Sequence, residues 1–110
     1  MKVKEFADAV QEQLKKEGFT KFQIYTPSRF WAINPNKVPV QFRIKYCVEP
    51  RKLYRQDVGF MTGLIDETHK SVLITNGTDI TTQTRKYLEE QGMQIILNWK
   101  PGMKIFEDAK

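Results

Sequence analysis

The sequence predicts a mixed α/β fold. Three observations carry that expectation: an amphipathic helical stripe at the start of the chain, a run of alternating strand residues near its middle, and two short apolar runs separated by a helix towards its end. Read in order, the elements are α-β-β-β-α-β-α-β, which implies a mixed sheet flanked by helices.

Residues 3–17 place Val3, Phe6, Ala7, Val10 and Leu14 at helical spacing with Lys, Glu and Gln between them, so one stripe packs inward and Gly18 supplies the stop. Lys21–Thr26 and Arg29–Ile33 are aromatic and β-branched runs either side of Pro27-Ser28, the pattern of two strands around a tight turn. Pro35 and Pro39 deny ladder hydrogen bonds and mark 34–39 as a loop. Residues 40–48 then alternate, with Val40, Phe42, Ile44, Tyr46 and Val48 on one side and Gln41, Arg43, Lys45 and Cys47 on the other. The first set is expected to enter a core and the second to offer two cations and an amide to solvent.

Pro50 suits a first helical position, and Leu53, Tyr54, Val58, Met61, Leu64 and Ile65 form a stripe for a helix over 51–67, weakened by Gly59 and Gly63. Ser71–Thr75 is continuously apolar enough for a strand covered on both faces. The turn Asn76-Gly77-Thr78-Asp79 leads to a third helix lined by Ile80, Thr84, Tyr87 and Leu88 and ended by Gly92, and Met93–Leu97 follows as a second buried strand. A strand-helix-strand unit of this length makes a right-handed parallel crossover, so these two strands are expected to be parallel neighbours. Residues 98–110 form a short extension in which Met103–Phe106 is either an edge strand or a cover for the core.

A chain of 110 residues supports one core, and a single domain spanning 1–110 is expected. No apolar run reaches the length of a membrane span, and the first twenty residues interrupt every apolar stretch with charge, unlike a secretory leader. A cytoplasmic location follows as the expectation. One cysteine, Cys47, permits neither an internal disulfide nor a Cys-clustered zinc site and reads as a small strand residue. His69, the one histidine, falls just past a helix end and reads as a surface residue. The net charge of +5 is unevenly spread: residues 1–20 balance, the last half is slightly acidic, and residues 21–55 hold eight bases against Glu49 alone. That asymmetry points to an anionic partner, of which nucleic acid is the commonest.

The segment Val40-Gln41-Phe42-Arg43 before a helix, the strand Ser71-Val72-Leu73-Ile74-Thr75, the polar turn with Thr81-Thr82-Gln83-Thr84-Arg85, and the strand Gln94-Ile95-Ile96-Leu97 together resemble the second half of Mrr-type restriction endonuclease domains, over roughly residues 38–98. The element order is likewise that of the restriction-endonuclease-like superfamily, also called PD-(D/E)XK. The resemblance implies Mg²⁺-dependent phosphodiester hydrolysis, in which one strand carries a Gln- or Glu-x-Lys element and an Asp shortly before it holds the metal. Gln41 matches that element. Arg43 stands at the Lys position, and its permanently charged guanidinium suits phosphate binding better than catalysis. There is no Asp or Glu between Glu17 and Glu49, and a hard cation needs carboxylate oxygens. No catalytic residue, metal ligand or cofactor is therefore expected.

The reading that results is a catalytically inactive nuclease fold that binds nucleic acid through Gln41, Arg43 and Lys45, flanked by Arg51, Lys52 and Arg55 at the start of the second helix and by Arg29 and Lys37. Tyr25 and Trp31 are available to stack on bases. Reversing Arg43 to Glu is expected to weaken binding with the fold intact. Thr75-Asn76-Gly77-Thr78 lacks the Lys and the length of a P-loop and reads as a turn. Two alternatives belong to other classes. One is a protein-interaction module or small regulator, of the sort a mobile element carries, docking on an acidic partner through the meander edge and the 99–110 tail. The other is an active Mg²⁺ nuclease with relocated ligands, Glu5 or Glu12 on the first helix or Glu49 and Asp57 beyond the strand.

Overall fold

A computed structural model describes residues 2–59 and 70–106 of the chain. The elements run α1 (Val3–Lys16), β1 (Thr20–Thr26), β2 (Arg29–Ile33), β3 (Pro39–Lys45), β4 (Lys52–Leu53), α2 (Arg55–Val58), β5 (Lys70–Thr75), β6 (Asp79–Ile80), α3 (Thr82–Glu90) and β7 (Met93–Ile96). Five strands form a mixed sheet in the order β1-β2-β3-β5-β7, and β4 pairs with β6 in a separate two-stranded ribbon. The β1–β2 and β2–β3 pairs are antiparallel, whereas β3–β5 and β5–β7 are parallel, the second joined through α3. The mixed α/β class and the parallel pairing of the last two long strands thus follow the pattern in the sequence.

Each face of the sheet carries its own core. Phe6, Val10 and Leu14 of α1 pack with Phe30, Phe42, Ile44, Val72, Ile74 and Trp99 on one side. On the other, Leu88 of α3 joins Leu53, Val58, Leu73, Ile80 and Met93. The ends of α1 obey helix electrostatics, with Glu5 in its first turn and Lys15 and Lys16 in its last. Gly18 then adopts φ +96, a conformation that costs other residues, and lets Pro35 approach closely. At α3 the Thr81 hydroxyl accepts from the Thr84 amide at 3.1 Å and caps the helix.

Several expectations need correction. The alternating strand stops at Lys45, so Val48 does not enter a core and is 84% exposed. The side of β3 that carries Gln41, Arg43 and Lys45 is not a solvent face, because Leu73 lies beside Arg43 in register and the second core closes over that side. Pro50 does not open a helix. Residues 52–53 instead pair with 79–80, too short a ribbon to leave a periodic trace, and the described helix is confined to Arg55–Val58. The rest of the helix expected over 51–67, with Met61, Gly63, Leu64 and Ile65, lies outside the described residues, as does His69. Ile80 belongs to β6 and not to α3. Met103–Phe106 forms no strand; Ile105 is buried and Phe106 packs on the first core, while the Glu17 carboxylate accepts from the Ile105 and Phe106 amides.

Candidate nucleic-acid interface

β3 is the third of five strands, and its register places the predicted site residues in rows. Trp31, Gln41 and Ser71 are neighbours in one row, and Arg29, Arg43 and Leu73 in the next. Arg29 opens β2 opposite the last turn of β3, so Arg29, Arg43 and Lys45 all gather at the C-terminal end of β3. The chain leaves that end through residues 46–51 and returns over the same face, which brings Arg51, Lys52 and Arg55 to the same side. Leu53 and Val58 of that segment pack with Leu73 beside Arg43, and Arg51 grips Asp57, whose carboxylate also feels the Lys45 charge.

The members differ in what they can offer. Arg43 is 4% exposed; its Nη1 donates to the Phe42 carbonyl at 3.2 Å and its Nη2 to the Gln41 amide oxygen at 3.5 Å. Loss of hydration, and then the like charge of Arg29, push its pKa down. Reversal of its charge is consequently a change in the interior, and the expectation of an intact fold does not hold. Arg29 is half-buried with its guanidinium 5.0 Å from the centre of the Tyr25 ring. Arg51 makes a bidentate pair with Asp57 at 2.9 and 2.7 Å, which raises its own pKa and holds that of Asp57 at about 2. The Arg55 guanidinium lies over the Tyr87 ring, 3.5 Å from its centre. Lys45 is half-buried and Lys52 exposed. Lys37 is left out: it sits in the turn before β3 with φ 67, at the far end of a strand that spans roughly 20 Å.

Several donors of the turn after β5 are already engaged. Gly77 N–H donates to the Thr75 hydroxyl at 2.9 Å, Thr78 N–H to the Arg51 carbonyl at 3.0 Å and Ile80 N–H to the Asp79 carboxylate at 2.8 Å. The Asn76 side chain bonds both the amide and the carbonyl of Cys47 at 2.7 Å. A Cβ on Gly77 would meet Leu53 at 3.0 Å, so this turn is a packing joint between β5 and the β4–β6 ribbon and not an anion cradle. A cavity of about 300 Å³ opens beside it on the α1 side, walled by Tyr46, Asn98, Trp99 and Lys100. Its walls are drawn from α1, the turn after β5 and the loops around Tyr46 and Trp99, a combination that no single periodic run in the sequence announces.

The metal that the sequence resemblance implies does not fit these residues. The Gln41–Arg43 rows present an amide, a hydroxyl, an indole and two guanidiniums where a hard dication wants carboxylates. Glu5 and Glu12 sit on α1, across the sheet from Gln41 and Arg43, and Asp57 is held by Arg51. Among the described residues no three His, Cys, Asp or Glu side chains are grouped to hold a metal. No described helix is long and apolar enough to cross a membrane.

This is a restriction-endonuclease-like fold, and solved structures share it. A repair endonuclease from Pyrococcus abyssi matches with a TM-score of 0.63 and 19% identity over 92% of this chain and 48% of that one. EndoMS in apo form matches with a TM-score of 0.60 and 11% identity over 97% of this chain and 48% of that one. The ATP-dependent Type ISP restriction-modification enzyme LlaBIII bound to DNA matches with a TM-score of 0.55 and 16% identity over 86% of this chain and 7% of that one. The chain therefore spans less than half the length of each of these proteins. No protein-family model and no curated protein matches the sequence. The resemblance to the restriction-endonuclease-like superfamily accordingly holds at the level of the fold.

Proposed function

We propose that this chain binds nucleic acid on a nuclease-type fold without hydrolysing it. One observation supports the reading above others: Arg29 and Lys45 lie at the C-terminal end of β3, and the 51–55 segment with Arg51, Lys52 and Arg55 lies on the same side of the sheet, where its Leu53 shares a core with Leu73 beside Arg43. Clustered cations of this kind cost stability through mutual repulsion, and a polyanion relieves that cost while releasing its own counterions. The absence of a carboxylate trio on this side among the described residues, argued from the donor chemistry of Gln41 and Arg43, favours binding over catalysis. The neighbours named above include a repair endonuclease and a restriction-modification enzyme bound to DNA, which makes nucleic acid the natural class of ligand. Docking of a partner strand on β1 is less favoured, because register shifts and Lys21 at φ 55 break the regular edge such pairing needs.

The test compares two lysines at opposite ends of β3. Retardation of a labelled DNA fragment is measured over a range of salt for the native chain, Lys45→Gln and Lys37→Gln, with thermal unfolding as the check on folding. Lys45→Gln is expected to weaken binding and to reduce the slope of log affinity against log salt by about one, the loss of one phosphate contact. Lys37→Gln is expected to match the native chain. Equal losses from both variants would remove this surface, and divalent-dependent nicking of the DNA would replace the binding protein with an enzyme.

A further inference from the structure

The β1–β2 hairpin holds three side chains together outside both cores. Tyr25 is 59% exposed on the outermost strand. The Arg29 guanidinium lies 5.0 Å from the centre of its ring, and the Trp31 indole N–H donates to its hydroxyl at 3.3 Å. A single exposed tyrosine needs no explanation. This one is fixed from two directions by a cation and an indole, so its ring is already ordered before anything binds, and a binding partner has little rotamer entropy left to remove. Trp31 in turn stands in register with Gln41, and Arg29 with Arg43, so the hairpin continues the cationic rows of β3 outward to the edge of the sheet.

An ordered ring with a guanidinium over one face presents two complementary features to a nucleotide: its opposite face for the π-face of any base and a charge for the phosphate. Bases in a duplex have both faces covered by their neighbours. Unpaired bases do not. We infer that Tyr25, with Arg29 and Trp31, is a stacking platform, and that the ligand of this surface is single-stranded nucleic acid in preference to duplex; the inference rests on the nucleic-acid reading given above.

The experiment measures fluorescence-anisotropy affinities of the full chain for a short labelled oligothymidylate and for its duplex with oligoadenylate at low salt, with Tyr25→Ala and Tyr25→Phe beside the native chain. Tyr25 is exposed, so neither change should disturb folding, and thermal unfolding of each variant checks this. The native chain should bind the single strand more tightly than the duplex, Tyr25→Ala should lose roughly 5- to 100-fold in single-strand affinity, and Tyr25→Phe should keep most of it, since the ring remains. Duplex bound as tightly as single strand, or an unchanged affinity in Tyr25→Ala, overturns the stacking platform while leaving a phosphate-binding surface in place. Failure of the native chain to bind either oligonucleotide overturns both readings.

Discussion

The two sides of β3 divide the work of the molecule differently. Val40, Phe42 and Ile44 look towards α1, where Phe42 stacks on Phe30 at 5.2 Å between ring centres and meets the edge of Phe19 at 5.6 Å. Gln41, Arg43 and Lys45 look towards α2 and α3, where an aliphatic core leaves polar groups among apolar ones, including a Ser71 hydroxyl with no hydrogen-bond partner among the described residues. Alternation along one strand therefore produces a side spent wholly on packing and a side on which packing is compromised by cations and amides. Charge inside a core costs stability unless it serves something else, so the comparison favours the second side as the one that carries the proposed function.

The sharpest way to break that comparison is to truncate adjacent residues on opposite sides. Phe42→Ala removes a fully buried ring from an aromatic cluster and is expected to cost about 3–5 kcal/mol in urea unfolding. Gln41→Ala, one residue away and half-buried, is expected to cost no more than about 1.5 kcal/mol. Similar costs for the two would mean that both sides are equally structural.

The α1 side is also closed by a clamp. Glu17, at the end of α1, accepts from the amides of Ile105 and Phe106 and from the Gln13 side chain at 2.7 Å, which lays the tail over the core where Phe106 meets the edge of Phe19. Hydrogen bonds to an ionised carboxylate are of the stronger kind, so Glu17→Ala is expected to cost about 1.5–3 kcal/mol and to increase hydrogen exchange at the amides of 105 and 106. Unaltered protection there would show that Ile105 and Phe106 hold the tail by apolar contact alone.

The sequence makes these two sides legible to different depths. Period-two alternation picks out Phe42 and Ile44 as core and Gln41, Arg43 and Lys45 as their opposites, because the pleat alone sets which side a residue takes. Alternation says nothing about what covers the second side, and for that reason Arg43 reads as exposed when it is 4% exposed. The candidate site residues are recoverable from composition as a stretch rich in bases, but the separation of Lys37 from Lys45 depends on strand direction. The β4–β6 ribbon and the Glu17 clamp were not legible: the first is two residues deep, and the second joins residues 88 and 89 positions apart through a backbone amide that any side chain would supply.

The smallest expected effect lies at the Asp57–Arg51 pair on the second side, and it sharpens the comparison through pH. Arg51 holds the Asp57 carboxyl at about 2, below the ordinary 3.8, chiefly through their direct hydrogen bonds. A carboxylate whose pKa is depressed by folding contributes stability that is fully present above the unfolded value near 3.8 and disappears as pH falls through the folded value near 2. Arg51 is half in solvent, which screens the pair, so the contribution is expected to be about 1 kcal/mol and not the larger figure the shift alone would give. Asp57→Asn should therefore be less stable than the native chain by about that amount at neutral pH, and the difference should close between pH 4 and pH 2. A gap that persists unchanged at pH 2 would assign the role of Asp57 to its hydrogen bond from the Tyr54 amide at 2.8 Å, which an asparagine oxygen keeps only in part, and would leave Arg51 free to serve the phosphate surface.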